Sequence, residues 1–394
     1  MNIPPGKLLG LGSLAVTLLT TQPSAAADWP VREALEPLVN EKLVAGVVTV
    51  IADRERVRQL DAIGFASLEE QRPMSGDTLF WVASQSKPVT AVAVMMLVEA
   101  GRLDLDKPVT DYLPELKELR VIAEKDDAHT LLVPVARPIT LRHLLSHTSG
   151  MVWITPLQQR HRIDVLPFQK IITVVANTPL AAQPGEKWQY SNMGVNVAAT
   201  IVEKVSGKPF DQFLEERLFK PLGMTDTTFW PTAEQLKRLA PVYGWDKNKE
   251  VMVGGGVGQL TEPYDNRATR YPEAAGGLFS TPNDFVKFWQ MLLNEGEYNG
   301  TRILRPESVK EIGTKQTGEK MDNNYGLCVG LNGEGFGHGG ACGTDSRVDL
   351  KAGLALCYFV QQNMPRGGEV SAAFFKVVKN QGRSVGTEAR PVGN

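Results

Sequence analysis

Hydrophobic and polar positions along the chain change period from one stretch to the next. From Asp28 to Val44 the apolar residues Trp29, Val31, Leu35, Leu38 and Val39 recur at helical spacing and make one broad face. Ala45 to Asp53 is β-branched and apolar, and Val57 to Ala66 continues as a second strand. The stretch Thr78 to Ala100 predicts a helix of another kind. Val89 to Val98 is apolar on every side, the pattern of a helix buried all round, and Gly101 stands at its C′ position.

Between Leu103 and Tyr271 the pattern predicts mostly helices joined by loops bearing proline and glycine, most clearly at Pro138 to Gly150 and Met193 to Gly207. Gly254 to Gly258 reads as a flexible connection, because no Gly-Lys-Ser/Thr follows to make a phosphate loop. A helix is expected over Thr281 to Asn294. Strands are expected at Tyr325 to Leu331, Phe336 to Val348 and Leu354 to Gln361, and a last amphipathic helix at Glu369 to Lys379. Strands at both ends with helices between predict an α/β (α+β) fold. A discontinuous sheet domain, 28–82 with 272–394, is expected to pack against a mostly helical domain, 83–271, with the ligand site at their seam.

Composition narrows the class of function. The 394 residues carry 42 Lys+Arg against 44 Asp+Glu, a formal charge of −2, which provides no basic field for nucleic acid. At 42% hydrophobic the chain can build a sizeable core, and its 3 cysteines are too few for a disulfide scaffold. At the N-terminus, Lys7 precedes an apolar run from Leu8 to Leu19, then Pro23, Ser24 and Ala25-Ala26-Ala27. This predicts a secretory signal peptide over residues 1–27 and a periplasmic or secreted product. The run is too short for a bilayer span of roughly 20 residues, and no lipoprotein cysteine lies near the cleavage site.

The chemistry concentrates in short motifs. Ser84-Gln85-Ser86-Lys87 is an S-x-x-K sequence at the start of the buried helix, where residues three apart share a face and Lys87 reaches Ser84. Pro88 is tolerated only in a first turn, so the helix is expected to begin at or just before Ser84, with the hydroxyl at its positive end. Taken alone, the same residues also fit a helix cap followed by a surface lysine. Tyr190-Ser191-Asn192 follows a turn and precedes a helix; a tyrosine near a lysine serves as a general base when its phenolate is stabilised. Tyr264-Asp265-Asn266 has the same spacing in a poorer context. His338-Gly339-Gly340-Ala341 falls in a strand-like segment whose glycines mark a close backbone approach. The N–H groups of Ala341 and Ser84 are suited to form an oxyanion hole.

Together these motifs, and the stretches LFWVASQSKPVTAVAVMMLVEAGRLDLDKPVTDYLPEL, PITLRHLLSHTSGM, PGEKWQYSNMGVNVAATIVEKVSGKPF and AAGGLFSTPNDFVKF, resemble the serine β-lactamase and penicillin-binding superfamily over roughly Trp29 to Val378. The similarity is greatest to the class C branch with its esterase and D-amino-acid peptidase relatives. The resemblance implies a β-lactamase/transpeptidase-like fold, Ser84 as acylated nucleophile, Lys87 as its proton partner and Tyr190 as general base. By the same resemblance Asn192 is an amide that orients substrate or lysine. His338, Gly339 and Gly340 take the K-T-G positions, so a histidine of ordinary pKa about 6.5 replaces a permanent cation. An anchor for a substrate carboxylate is thereby lost, and a titration of His338 through pH 6–7 is expected to weaken anionic substrates. No E-x-x-L-N for a class A deacylation follows.

The sequence thus predicts an exported serine hydrolase of small esters. A β-lactamase or D-amino-acid peptidase is the first alternative, and a non-catalytic penicillin-binding or peptidoglycan-sensing module the second. The expected partner is a small ester, amide or β-lactam, with no cofactor, no metal and no nucleic acid. His143 and His147 are four apart but lack a third ligand, so a structural role is expected. His129 and His161 are expected on the surface. Cys328, Cys342 and Cys357 are expected in successive strands as buried thiols, two of which an exported protein is able to pair.

Overall fold

A computed structural model describes residues 29–159, 162–165, 168–249, 251–319 and 321–385; the predicted signal peptide and His161 lie outside them. The chain opens with helix α1 (Val31–Asn40), followed by strands β1 (Gly46–Ala52), β2 (Val57–Ser67) and β3 (Arg72–Pro73). Four strands from the C-terminal part, β4 (Gly330–Leu331), β5 (Gly335–Gly339), β6 (Asp345–Asp349) and β7 (Leu354–Phe359), complete a seven-stranded antiparallel sheet. Its order is β4-β5-β6-β7-β1-β2-β3, so both ends of the chain meet where β7 pairs with β1.

Strand alternation explains why this sheet needs cover on both faces. Val47 and Ile51 of β1, with Leu354, Leu356 and Tyr358 of β7, pack against Val31 and Leu35 of α1 and Val370, Phe374 and Val378 of the terminal helix Gly368–Val385. Their neighbours Val48, Val50 and Ala52, with Ala355, Cys357 and Phe359, face the larger core, which includes Phe285 and Trp289 of helix Pro282–Leu293. Each fully buried side chain of this size contributes about 1.5–3 kcal/mol. A one-residue slip of register would exchange the two faces.

The buried helix forms as expected, though shorter. Helix α2 spans Ser86–Glu99, with every residue from Ser86 to Leu97 buried, and a 3₁₀ turn at Ala83–Gln85 precedes it. Gly101 ends it in the left-handed region at φ +67°. Helix α3 (Asn192–Ser206) packs beside it, capped by the Ser191 hydroxyl accepting the Gly194 N–H and closed by left-handed Gly207.

Several elements differ from the sequence reading. Val251–Gly255 is a strand paired with Val242–Asp246, so the glycine run is half ladder and not a loose connection. A hairpin, Arg120–Lys125 with Thr130–Pro134, stands in the region expected to be mostly helical. The expected strand Tyr325 to Leu331 is reduced to β4, because Cys328 turns to φ +57° and donates its N–H to Leu145 outside any sheet. Phe336 to Val348 is two strands, broken at Gly340 to Thr344.

One buried ion pair ties the loop that enters the site. Arg270 and Asp164, both with side chains 0% exposed, are joined, and Asp164 also accepts the N–H and hydroxyl of Thr261 at 2.9 and 2.8 Å. Tyr271 adds a backbone N–H to the Asp164 carbonyl at 3.0 Å and a hydroxyl bond to the Ile163 carbonyl at 2.7 Å. Removing one charge strands the other, so Asp164→Asn should lower stability in urea unfolding by about 3–5 kcal/mol. A loss below about 1 kcal/mol would show the pair to be dispensable.

Candidate active site

Ser84 is held by the chain on either side of it. Strand Phe80–Trp81 pairs with Phe279–Ser280, and the Val82 N–H donates to the Leu278 carbonyl at 3.0 Å. Ser86 donates its hydroxyl to the Ala83 carbonyl at 2.7 Å and accepts the Leu278 N–H at 3.1 Å. Ala83 itself sits at φ +48°, a left-handed conformation that costs a non-glycine residue of order 1–3 kcal/mol and turns the strand sharply into the helix. Ser84 thus lies in the 3₁₀ turn that leads into α2, two residues before the helix start at Ser86, where Pro88 led to the expectation of a start at or just before Ser84.

Lys87 is the organising cation. Its side chain is fully buried, its Nζ lies 3.1 Å from Ser84 Oγ, and it donates to the Ala275 carbonyl at 2.6 Å. The same Nζ is 4.6 Å from the ring centroid of Tyr190. Ser84, Lys87 and Tyr190 are therefore brought together from α2 and from the residues just before α3. Tyr264 is not: its hydroxyl accepts the Val257 N–H at 2.6 Å and donates to Glu262 at 2.7 Å in a separate cluster with Phe279.

Asn192 lies in the first turn of α3, where its N–H donates to the Trp153 carbonyl at 3.0 Å. Its Oδ1 is buried and has no hydrogen-bond partner among the described residues. Lysine is oriented by Ala275 instead.

The His338-Gly339-Gly340-Ala341 segment ends β5 and begins the following turn, and β5 packs against the turn bearing Ser84. Gly340 is required by contact: a Cβ there would lie 2.5 Å from the Val82 carbonyl oxygen and 2.1 Å from Thr344 Oγ1. Its N–H donates to the Thr344 carbonyl at 2.6 Å, which closes the turn that carries Ala341.

His338 differs in behaviour from the sequence expectation. Its Nδ1–H donates to the Gly339 carbonyl at 2.6 Å, which leaves Nε2 to accept the Tyr325 hydroxyl at 3.0 Å. Part of the ring meets solvent, yet protein encloses most of it. Burial and then the Lys87 charge push its pKa down to about 3, so it does not titrate through pH 6–7.

Four residues or segments of the site escaped the motif reading. Ala275 acts through a carbonyl, which no side-chain pattern reveals. His147 is fully buried at φ +59°, accepts the Ser191 N–H at Nδ1 (3.2 Å), and packs in tilted contact with the rings of Tyr190, 4.5 Å away, and Tyr325, 5.0 Å away. Burial holds it well below the usual histidine range. Trp188 closes this aromatic group at 5.8 Å from Tyr325 and 6.1 Å from Tyr190. His143, four residues earlier, points elsewhere and caps its own helix through Thr140, so the two histidines share no ligand. Glu273 is fully buried, with the charge of Lys87 acting on it.

All three cysteines are free and buried, and burial pushes each thiol up to about 12, far from the range of a reactive thiolate. His129 is exposed as expected. Among the described residues no group of three or more His, Cys, Asp or Glu is arranged to hold a metal ion, and no helix is long and apolar enough to cross a membrane.

Residues 31–378 match the family described as Beta-lactamase. The chain belongs to the Beta-lactamase family. Protein Rv1367c of Mycobacterium tuberculosis is 33% identical over 357 residues, covering 81% of this chain and 86% of that protein. Esterase EstB of Burkholderia gladioli is 30% identical over 271 residues, 63% of this chain and 66% of that one. The D-alanyl-D-alanine-carboxypeptidase/endopeptidase AmpH of Escherichia coli K12 is 28% identical, with 71% and 65% covered. The fold is shared with simvastatin synthase (LovD) from Aspergillus terreus at TM-score 0.77 and 23% identity, covering 90% of this chain and 99% of that one. As a member of the Beta-lactamase family with such relatives, the chain is a serine hydrolase.

Because His338 stays neutral, the ratio of kcat/KM for an anionic ester to that for a neutral ester should be constant between about pH 5 and 8. A ratio that falls through the ordinary histidine range would show that His338 carries a proton in the free enzyme.

Proposed function

We propose that this protein is an exported carboxylic ester hydrolase that works through an acyl-enzyme on Ser84. The observation that carries the reading is the wholly buried Lys87, 3.1 Å from Ser84 Oγ, in a site where a neutral His338 stands at the position that the K-T-G resemblance gives to lysine. A carboxylate-bearing β-lactam or peptide would meet no fixed cation from that position, whereas a neutral ester needs none there. Esterase EstB and lovastatin esterase among the relatives agree with this substrate class. The export step rests on the leader-like residues 1–27.

In the proposed cycle Ser84 Oγ attacks the ester carbonyl as its proton passes to the Lys87/Tyr190 pair. The oxyanion is received by the N–H groups of Ser84 and Ala341. The pair returns the proton to the departing alkoxide, which leaves as alcohol. Water then repeats the attack on the acyl carbon, gives its proton to the same pair, and frees Ser84 and the carboxylic acid. Asn192, with an unpartnered Oδ1, is offered to a substrate donor.

The test compares p-nitrophenyl butyrate with nitrocefin on the purified protein and on Ser84→Ala. The expected result is ester turnover well above nitrocefin turnover, with a loss of at least about 10³-fold in Ser84→Ala. Equal ester rates in both proteins would remove Ser84 as nucleophile. Efficient nitrocefin turnover with an inert ester would make the protein a β-lactamase, and covalent labelling without turnover would make it a binding module.

A further inference from the structure

Behind the Lys87 hydrogen bond lies a carboxyl group that the cycle above does not use. The segment that follows Arg270 runs past α2 and α3, and several of its carbonyls and amides are engaged. Ala275 accepts Lys87 Nζ, Ala274 accepts the Thr90 hydroxyl at 2.9 Å, and the Ala274 N–H donates to Asn196 Oδ1 at 3.0 Å. Asn196, on α3, turns its other end to Glu273, donating Nδ2–H to Oε1 at 2.7 Å. Glu273 is 0% exposed, and its Oε2 has no hydrogen-bond partner among the described residues. That oxygen lies 3.2 Å from where a Cβ would stand on Gly276, so the side chain folds back against the segment that holds Lys87.

A half-satisfied buried carboxyl is costly unless a charge compensates for it. The charges within its reach are Lys87 on α2, which attracts, and Asp164 beneath the segment, which repels but is itself paired with Arg270. The Tyr271 hydroxyl, bonded to the Ile163 carbonyl, is neutral. No basic side chain touches Glu273 directly among the described residues, so its partner across the gap is Lys87.

We propose that Glu273 is a positioning residue for acyl transfer: a buried carboxylate that balances the charge held at Lys87 while Ser84 gives its proton to the Lys87/Tyr190 pair. The proposal rests on the reading of Ser84 as nucleophile. It sets Glu273 behind the Ser84–Lys87 contact, with the Ala275 carbonyl fixing Lys87 Nζ beside Ser84. Only the ionised carboxyl serves. Burial raises its pKa to about 7, against the pull of Lys87 and of Asn196, so the group ionises near neutral pH. Activity therefore rises with pH through about 7, for neutral and anionic esters alike.

Stability moves the other way. A carboxyl whose pKa is raised by folding contributes fully below its ordinary value near 4.5, and that contribution is lost as pH rises through about 7. Glu273→Gln, isosteric and unable to ionise, should escape this loss.

The experiment measures kcat and KM against pH for wild type, Glu273→Gln, His338→Gln and Ser84→Ala, and Tm against pH for the first two. Wild type and His338→Gln should show an inflection near pH 7. Glu273→Gln should lack it and lose kcat by about 10²-fold at pH 8, with KM unchanged because Glu273 touches no substrate. Its Tm relative to wild type should climb between about pH 5 and 7 and level off above about pH 8. A Glu273→Gln profile that superimposes on wild type, or a Tm difference that does not vary with pH, would overturn the proposal. If Glu273→Gln fails to fold, Asn196→Ala decides: loss of its hydrogen bond should move the inflection upward, and an unmoved inflection overturns the idea. Undiminished rates in Ser84→Ala would instead refute the nucleophile, while the Tm series still reports the charge of Glu273.

Discussion

Burying a lysine side chain completely is expensive, because its ammonium leaves water for a medium that screens it poorly. Lys87 is tolerated only because the surroundings are built to receive it: the Ala275 carbonyl at 2.6 Å, the Ser84 hydroxyl at 3.1 Å and the face of Tyr190. Each of these acceptors comes from a different part of the chain. Placing them together requires the strand before α2, the first turn of α2, the residues entering α3 and the segment after Arg270 to hold a common geometry. Much of the fold around the site can be understood as the support of that one buried nitrogen.

The sheet supplies the rigidity. Its two chain ends are joined at the β1–β7 pair, and helices cover both faces. The α2 helix, apolar on all sides, has no solvent face on which to shift, so the position of Ser84 is set by core packing rather than by a surface loop. Near neutrality of the whole chain then leaves local charges to decide chemistry: Lys87 and Glu273 inside the site, Arg270 and Asp164 beside it, and a neutral histidine bonded to Tyr325 at its rim.

What could be read from the sequence follows from distance along the chain. Ser84 and Lys87 are three residues apart on a helix, and Pro88 and the apolar run fixed where that helix starts, so their contact was legible. The pairing of Tyr190 with Lys87, in preference to Tyr264, was legible from context and from the family resemblance. The long sheet and its covering helices followed from periodicity. Contacts made by backbone atoms were not legible: Ala275 looks like any alanine, and Gly340 shows its reason only in the fold, where a Cβ would stand 2.5 Å from the Val82 carbonyl oxygen. The broken strands had the same origin. Cys328 and the Gly340 to Thr344 turn leave the ladder because Leu145 and Val82, distant in sequence, compete for them. The titration range expected of His338 was too high because an ordinary pKa takes no account of burial or of Lys87.

The central claim is a covalent one, that the carbonyl carbon of an ester becomes bonded to Ser84 with Lys87 as proton partner. Intact-protein mass spectrometry after rapid quenching with a slowly released ester, followed by peptide mapping, measures it directly. The account predicts one acyl group per chain on the peptide containing Ser84, absent in Ser84→Ala and formed at least about 10²-fold more slowly in Lys87→Met. Turnover with no adduct on that peptide, or an adduct formed at the wild-type rate in Lys87→Met, would contradict it.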